Sequence, residues 1–331
     1  MILITGATGQ VGREAVNAAV AAGAEVRALV RNPSGTPGLR GVQVVEGSFD
    51  DDASLSRAFD GVDAMLLAGR DSPDTVSQQQ RVLAHARRVN VKHIVKLSAI
   101  GASSDSPIAL MRDHHAIDEE IRAGPASWTL LKPHLFMQNL LRAADAVQRD
   151  GWLAAPMGHD CFPLVDTRDV GAAAAIVLGN PVAHVGEAYA LTGPVAHSYD
   201  EVATALSIVV GRAVAYEPVS PQAYEARLLA AGIPGWRAFD LAHITSAYSP
   251  SDNAVSPDLP MLLGRRPRSL SEFLQDHLDL FPATAEPAER PVLATSRPPA
   301  ARNRLPLDPQ LRTFRGPRWT SGFDPKETCG R

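Results

Sequence analysis

The first twelve residues, MILITGATGQVG, restrict this chain more than any other stretch does. Ile2, Leu3 and Ile4 make a short apolar run that reads as a buried strand. Thr5 ends it, and Gly6, Gly9 and Gly12 follow at three-residue spacing. A helical pattern starts at once, with Val11, Ala15, Ala19 and Ala22 on one face and Gly23 as its stop. Each glycine has a physical reason. Gly6 permits the tight turn off the strand, Gly9 lets a pyrophosphate approach the backbone, and Gly12 lets the helix pack close on the strand. The free N–H groups and the dipole of the helix N-terminus favour phosphate charge. Thr8, Gln10 and Val11 fall inside the same loop and join the candidate cofactor contacts.

Strand and helix signals then alternate. Residues 24–30, 42–46, 62–68, 92–97 and 128–131 read as further strands, with helices between them. The strands look buried on both faces, which predicts a doubly wound parallel sheet covered by helices. Ligands of such sheets sit outside the strand carboxyl ends, so Gly6, Arg31, Gly69 and Ser98 share one rim. Arg31 stands where an acid would hold an adenosine ribose. A guanidinium there matches a 2′-phosphate, so NADP(H) is expected over NAD(H), with Arg40 adding charge; a solvated surface arginine is the alternative. Ser48 and Phe49, leaving the third strand, are placed to border an adenine ring. Asp50, Asp51 and Asp52 suit the start of the next helix.

Phe162 to Val165 reads as a short strand, and Asp169 as the N-cap of the alanine-rich helix after it. The rhythm changes near Gly186, and a small α+β substrate lobe is expected over residues 183–282, after a nucleotide-binding domain over 1–182. Residues 283–331 are rich in Pro and Arg, lack an apolar period and read as a disordered tail.

Composition removes several function classes. The formal charge of −4 is too small to point to nucleic acid or a charged membrane, and 5% aromatics disfavour base-stacking platforms. Cys161 and Cys329 match no metal spacing, and no metal is expected. Met1 leads straight into a core strand, and no stretch is apolar enough to span a bilayer, so a reducing cytoplasm is the expected location.

The motifs together resemble the NmrA-like atypical short-chain dehydrogenases/reductases. They are Gly6 to Gly12, Val30-Arg31-Asn32-Pro33, Val91 to Ser98, Leu131-Lys132-Pro133 with Phe136 to Asn139, Asp166 to Asp169, and Leu191 to Pro194. That group includes NADPH quinone reductases, azo- and triphenylmethane-dye reductases and isoflavone reductase relatives. The resemblance covers about residues 1–281. It implies NADPH held by the glycine loop and Arg31, with Ala68-Gly69, Ser98-Ala99 and Pro133 to Phe136 around the nicotinamide. The chain departs from ordinary short-chain reductases in lacking a Tyr-x-x-x-Lys pair; the tyrosine's usual helix carries His114 and His115.

That departure directs the chemistry. Reducing a simple ketone needs a general acid beside the new oxyanion. A quinone or an electron-poor dye gives a stabilised anion that solvent can protonate, so a conjugated aromatic acceptor is favoured. His114 is the leading acid candidate, or else a helix residue bonded to a neighbouring backbone. His134 either faces the nicotinamide or acceptor, or shapes the turn after Pro133. Ser98 either bonds substrate or cofactor, or caps its strand; Gln138 and Asn139 either orient a carbonyl or steady their own helix. Two rival functions remain: a non-catalytic NADP(H)-sensing regulator, and a tailoring ketoreductase or epimerase. A homodimer is the assembly entertained.

Overall fold

The computed structural model describes residues 1–35 and 41–281. The expected tail over 283–331 and Arg40 lie outside the described residues. The first half runs β1 (Ile2–Ile4), α1 (Gln10–Ala21), β2 (Val26–Val30), β3 (Gln43–Glu46), α2 (Asp52–Ala58), β4 (Ala64–Leu67), α3 (Thr75–Arg88), β5 (His93–Leu97), α4 (Ala109–Arg122) and β6 (Ser127–Pro133). Next come α5 (Ala144–Asp150), β7 (Trp152–Ala155), α6 (Thr167–Gly179) and β8 (Glu187–Leu191). The last part is α7 (Tyr199–Val210), β9 (Ala215–Pro218), α8 (Pro221–Ala230), α9 (Gly235–His243), α10 (Asp258–Leu263) and α11 (Leu270–Gln275).

Seven parallel strands form one sheet in the order β3-β2-β1-β4-β5-β6-β8. This is the Rossmann-type doubly wound sheet that the alternating pattern predicts. The apolar runs explain the burial: all residues of β2 and β4 are buried. β3 differs, being largely exposed, because it is an edge strand with a neighbour on one side only.

Small residues set the spacing of the layers. A Cβ on Gly12 would lie 2.1 Å from the Gly6 carbonyl oxygen, so the first turn of α1 closes on the turn after β1 more tightly than any side chain permits. A Cβ on Gly171 of α6 would lie 2.4 Å from Glu14 Cβ of α1. Ala15 and Ala19 of α1 and Ala173 and Ala174 of α6 are buried in the same core. The alanine-rich composition of α6 thus makes a flat surface on which α1 rests.

The lobe is interleaved with the sheet. β8, expected in the lobe, is the seventh strand of the main sheet. β7, from the first part of the chain, pairs in parallel with β9 of the second, and Met137, Leu140 and Phe162 share a core with Tyr199, Leu206 and Phe273. Chain from both sides of residue 182 therefore builds each part. Residues 162–165 form no strand; Phe162 bridges His197 and Val165 bridges Phe136 at single positions. The N-cap of α6 is Asp166, which accepts from Arg168 N–H, and not Asp169. Asp169 is fully buried one turn in. It accepts from the Arg265 guanidinium at 2.7 Å, the Arg268 guanidinium at 2.5 Å and the Arg268 N–H at 2.6 Å, which ties the segment before α11 onto the sheet domain.

Candidate active site

The loop after β1 is built to leave donors free. Gly6 has φ +61°, and its Cβ position would meet Ala68 O at 3.0 Å, so glycine is required there. Thr5 fixes this turn against the end of β4, donating to Ala68 O at 2.7 Å and accepting from Ala68 N–H at 2.9 Å. Gly9 is the N-cap of α1 and supplies no side-chain cap, and the first turn carries no acid. The leading N–H groups of a twelve-residue helix therefore find no acceptor among the described residues. A Cβ on Gly9 would crowd the Gly6 carbonyl oxygen at 3.1 Å, so glycine keeps this backbone bare for an approaching group.

The adenosine end is consistent with this. Arg31 is exposed directly after β2. Ser48 and Phe49 follow β3, and a Cβ on Gly69 would touch both Phe49 and the Gln79 side-chain amide at 3.4 Å. Gln79 is 3% exposed, and its Oε1 has no partner among the described residues. An unmet buried amide beside an aromatic edge suits a flat, hydrogen-bonding base. An open phosphate cradle, a guanidinium and this slot together fit NADP(H). Sequence reasoning missed Gln79, whose place on α3 gives no motif.

Toward the middle of the rim, the carboxyl end of β5 carries a buried polar cluster. The Ser98 hydroxyl donates to Asp118 Oδ2 of α4 at 2.6 Å, and Ser98 is 2% exposed. The hydroxyl is thus committed to α4, and Ser98 does more than cap its strand. Asp118 Oδ1 has no partner among the described residues, and burial raises the carboxyl above its ordinary range. Lys96, fully enclosed beneath, donates to Leu97 O at 2.5 Å and lies 3.3 Å from His114 Nδ1. Burial pulls the ammonium down to about 8, and the nearby charges of Asp118 and Asp71 oppose the fall. His114 is held well below its usual value by burial and by the Lys96 and Lys132 charges. Sequence reasoning missed Lys96, because within the apolar run of β5 it looks like a rim lysine.

His134 belongs to a different construction. It is 3% exposed; Nδ1 accepts from Leu135 N–H at 2.8 Å and Nε2 faces Asn253 Oδ1 at 3.1 Å. Its ring stacks on Tyr248 with centroids 4.4 Å apart. Both nitrogens are used and burial lowers its pKa to about 4, so His134 anchors the strap 248–253. Among the described residues, the Gln138 side chain bonds the residues that open α6 and not its own helix. It donates to Asp166 and accepts from Thr167 N–H, holding the start of α6. Pro133 is buried at the end of β6, where its carbonyl accepts from Ile100 N–H at 3.1 Å.

The strap and the loop after β5 wall an open cleft of about 440 Å³ lined by Gly101, Ser103, Lys132, Ser246 and Asp252. A second cleft, between α3 and α4, lies at the amino ends of the strands, away from this rim. No described helix is long and apolar enough to cross a membrane, and no three or more His, Cys, Asp or Glu among the described residues are grouped to hold a metal.

A seven-stranded doubly wound sheet with an uncapped glycine loop and a walled cleft on one rim defines a dinucleotide-binding α/β protein. The chain belongs to the NmrA-like family, whose model matches residues 1–274. An NAD(P)H azoreductase of Xenophilus azovorans is 33% identical over 287 residues, 86% of this chain and 100% of the relative. A (4-alkanoyl-5-oxo-2,5-dihydrofuran-3-yl)methyl phosphate reductase of Streptomyces griseus is 34% identical over 283 residues, 85% of this chain and 99% of the relative. Among solved structures, an NADPH-dependent quinone oxidoreductase of Escherichia coli complexed with NADPH superposes with a TM-score of 0.77. It is 28% identical and covers 84% of this chain and 100% of its own.

Proposed function

We propose that this chain is an NADPH-dependent reductase that delivers hydride to a quinone-like or other conjugated aromatic acceptor. The observation that carries the reading is the uncapped N-terminus of α1 on the same rim as the cleft walled by the loop after β5 and the strap. Gly6 to Gly12 would hold the pyrophosphate, Arg31 the 2′-phosphate, and Ser48 and Phe49 the adenine. The nicotinamide supplies the hydride when bound. The loops ending in Ala68-Gly69, Ser98-Ala99 and Pro133 would position its ring. The relatives described above reduce azo, furanone and quinone compounds according to their names, which supports a conjugated acceptor.

Anaerobic stopped-flow mixing of protein and NADPH with a panel of quinones tests this. NADPH oxidation above the free-solution rate with at least one member is expected. No acceleration with any member overturns it, and saturable NADPH binding without turnover would then favour the regulatory reading.

A further inference from the structure

We propose that Lys96 and His114 form a proton relay that neutralises the acceptor as it is reduced, with His114 Nε2 as the donor to the acceptor and Lys96 as the proton reservoir behind it. The inference rests on the reductase reading above and adds the proton's source.

The geometry assigns the tautomer. Lys96 Nζ has only protons to offer, so His114 Nδ1, 3.3 Å away, must be the acceptor. A neutral imidazole that accepts at Nδ1 carries its proton on Nε2. Nε2 has no partner among the described residues and is not sealed from solvent. His114 is half-buried, while Lys96 behind it is 1% exposed. The imidazole thus stands between an enclosed ammonium and accessible space. It has one nitrogen turned to each.

The step balances. Hydride reaching a neutral quinone leaves an oxyanion. Nε2–H gives its proton to that oxygen while Nδ1 takes one from Nζ. The acceptor becomes a neutral hydroquinone, Lys96 a neutral amine and His114 the other neutral tautomer. Negative and positive charge cancel without either being left buried alone, the costly outcome in a low-dielectric site. Imidazolium never forms, which suits a His114 held well below its usual value. Between turnovers solvent protonates Nε2 and Nδ1 hands its proton back to Nζ, which resets both groups.

The other charges are arranged to keep the ammonium usable. Asp118 on α4 and Asp71 after β4 face Lys96 and favour its charged form against burial. Lys132 on β6 faces His114 and disfavours imidazolium. Ser98 holds Asp118 in place from β5. His114 and Asp118, four apart on α4, occupy one helix face and reach Lys96 and Ser98 of the neighbouring strand together.

The test compares two acceptors under anaerobic single turnover with saturating NADPH. A para-quinone needs hydride and a proton. A cationic triarylmethane dye needs hydride alone, since its reduced form is neutral. Lys96→Met should lower the ratio of quinone to dye rates at least tenfold. Lys96→Arg should do the same, because a guanidinium keeps the charge but does not release a proton. An unchanged ratio in folded, NADPH-binding Lys96→Met overturns the relay, and rescue by Lys96→Arg reduces Lys96 to a fixed charge and overturns it too. A wild-type pH profile decides the matter if neither variant folds or the dye is not accepted. The quinone rate should fall about tenfold per pH unit above about 8, where Lys96 loses its proton. A flat profile from pH 6 to 10 overturns the relay. Failure of the wild type to reduce any quinone removes the reductase reading itself, a distinct result from normal quinone turnover with a flat profile.

Discussion

The Asp169 carboxylate is fully buried, and the Arg268 main-chain N–H donates to its Oδ2 at 2.6 Å, ninety-nine residues along the chain. The guanidinium groups of Arg265 and Arg268 close on its other oxygen. Removing the carboxylate leaves the Arg268 N–H and two partly exposed guanidinium groups without their acceptor. Asp169→Ala should cost about 1–3 kcal/mol of stability, the range for hydrogen bonds to a charged group. Urea denaturation followed by circular dichroism measures it, and a midpoint equal to wild type would refute it.

Gly9 and Gly12 separate binding from folding. A Cβ on Gly12 strikes the Gly6 carbonyl, so Gly12→Ala should destabilise the fold by about 1–3 kcal/mol through overpacking. A Cβ on Gly9 crowds only the Gly6 carbonyl oxygen, at 3.1 Å, so Gly9→Ala should destabilise the fold less than Gly12→Ala and weaken NADPH binding at least tenfold. Nicotinamide fluorescence titration beside thermal melts distinguishes the two.

Arg31 should select the phosphorylated cofactor. A charge-assisted hydrogen bond contributes about 1.5–3 kcal/mol, so Arg31→Ala should weaken NADPH binding about 10- to 100-fold. NADH affinity should change far less. Equal losses for both cofactors would assign Arg31 to the pyrophosphate or to neither.

His134 predicts an acid-sensitive fold. Its pKa is about 4 when folded and about 6.5 when unfolded. The unfolded chain therefore takes up the proton first as pH falls, and stability rises with pH between those values. The contribution is complete above pH 6.5 and is lost progressively toward pH 4, by about 3 kcal/mol at most. His134→Gln should flatten this part of the stability profile. His93, buried between Ser127 and Thr129 and also lowered to about 4, contributes to the residual slope together with His114 and His197, which burial also lowers.

The parts of this molecule governed by local rules were legible in the sequence. The glycine loop, the sheet rim and the placing of Asp50 to Asp52 at the start of α2 follow from strand period, turn chemistry and helix dipole. The parts set by long-range pairing were not. Nothing local distinguishes Tyr189 to Leu191, which joins the main sheet, from Val214 to Val219, which pairs with a strand sixty-three residues earlier. Asp169 reads as a cap because aspartates open helices; its arginines lie too far along the chain for spacing to find them. His134 and Ser98 looked ligand-facing because both follow strands on the correct rim. The direction of each side chain was settled by Asn253 and Asp118, which packing brings there. Lys96 is the same case reversed, a charged residue drawn under the rim by the helix above it.

The pairing of β7 with β9 carries a consequence for how such an enzyme diversifies. Because the chain passes from sheet to lobe and back, no single crossover in the gene exchanges the acceptor-side walls while keeping the nucleotide half whole. Local changes in the strap and in the loop after β5, by contrast, alter the cleft walls without disturbing the strand pairing that joins the two parts.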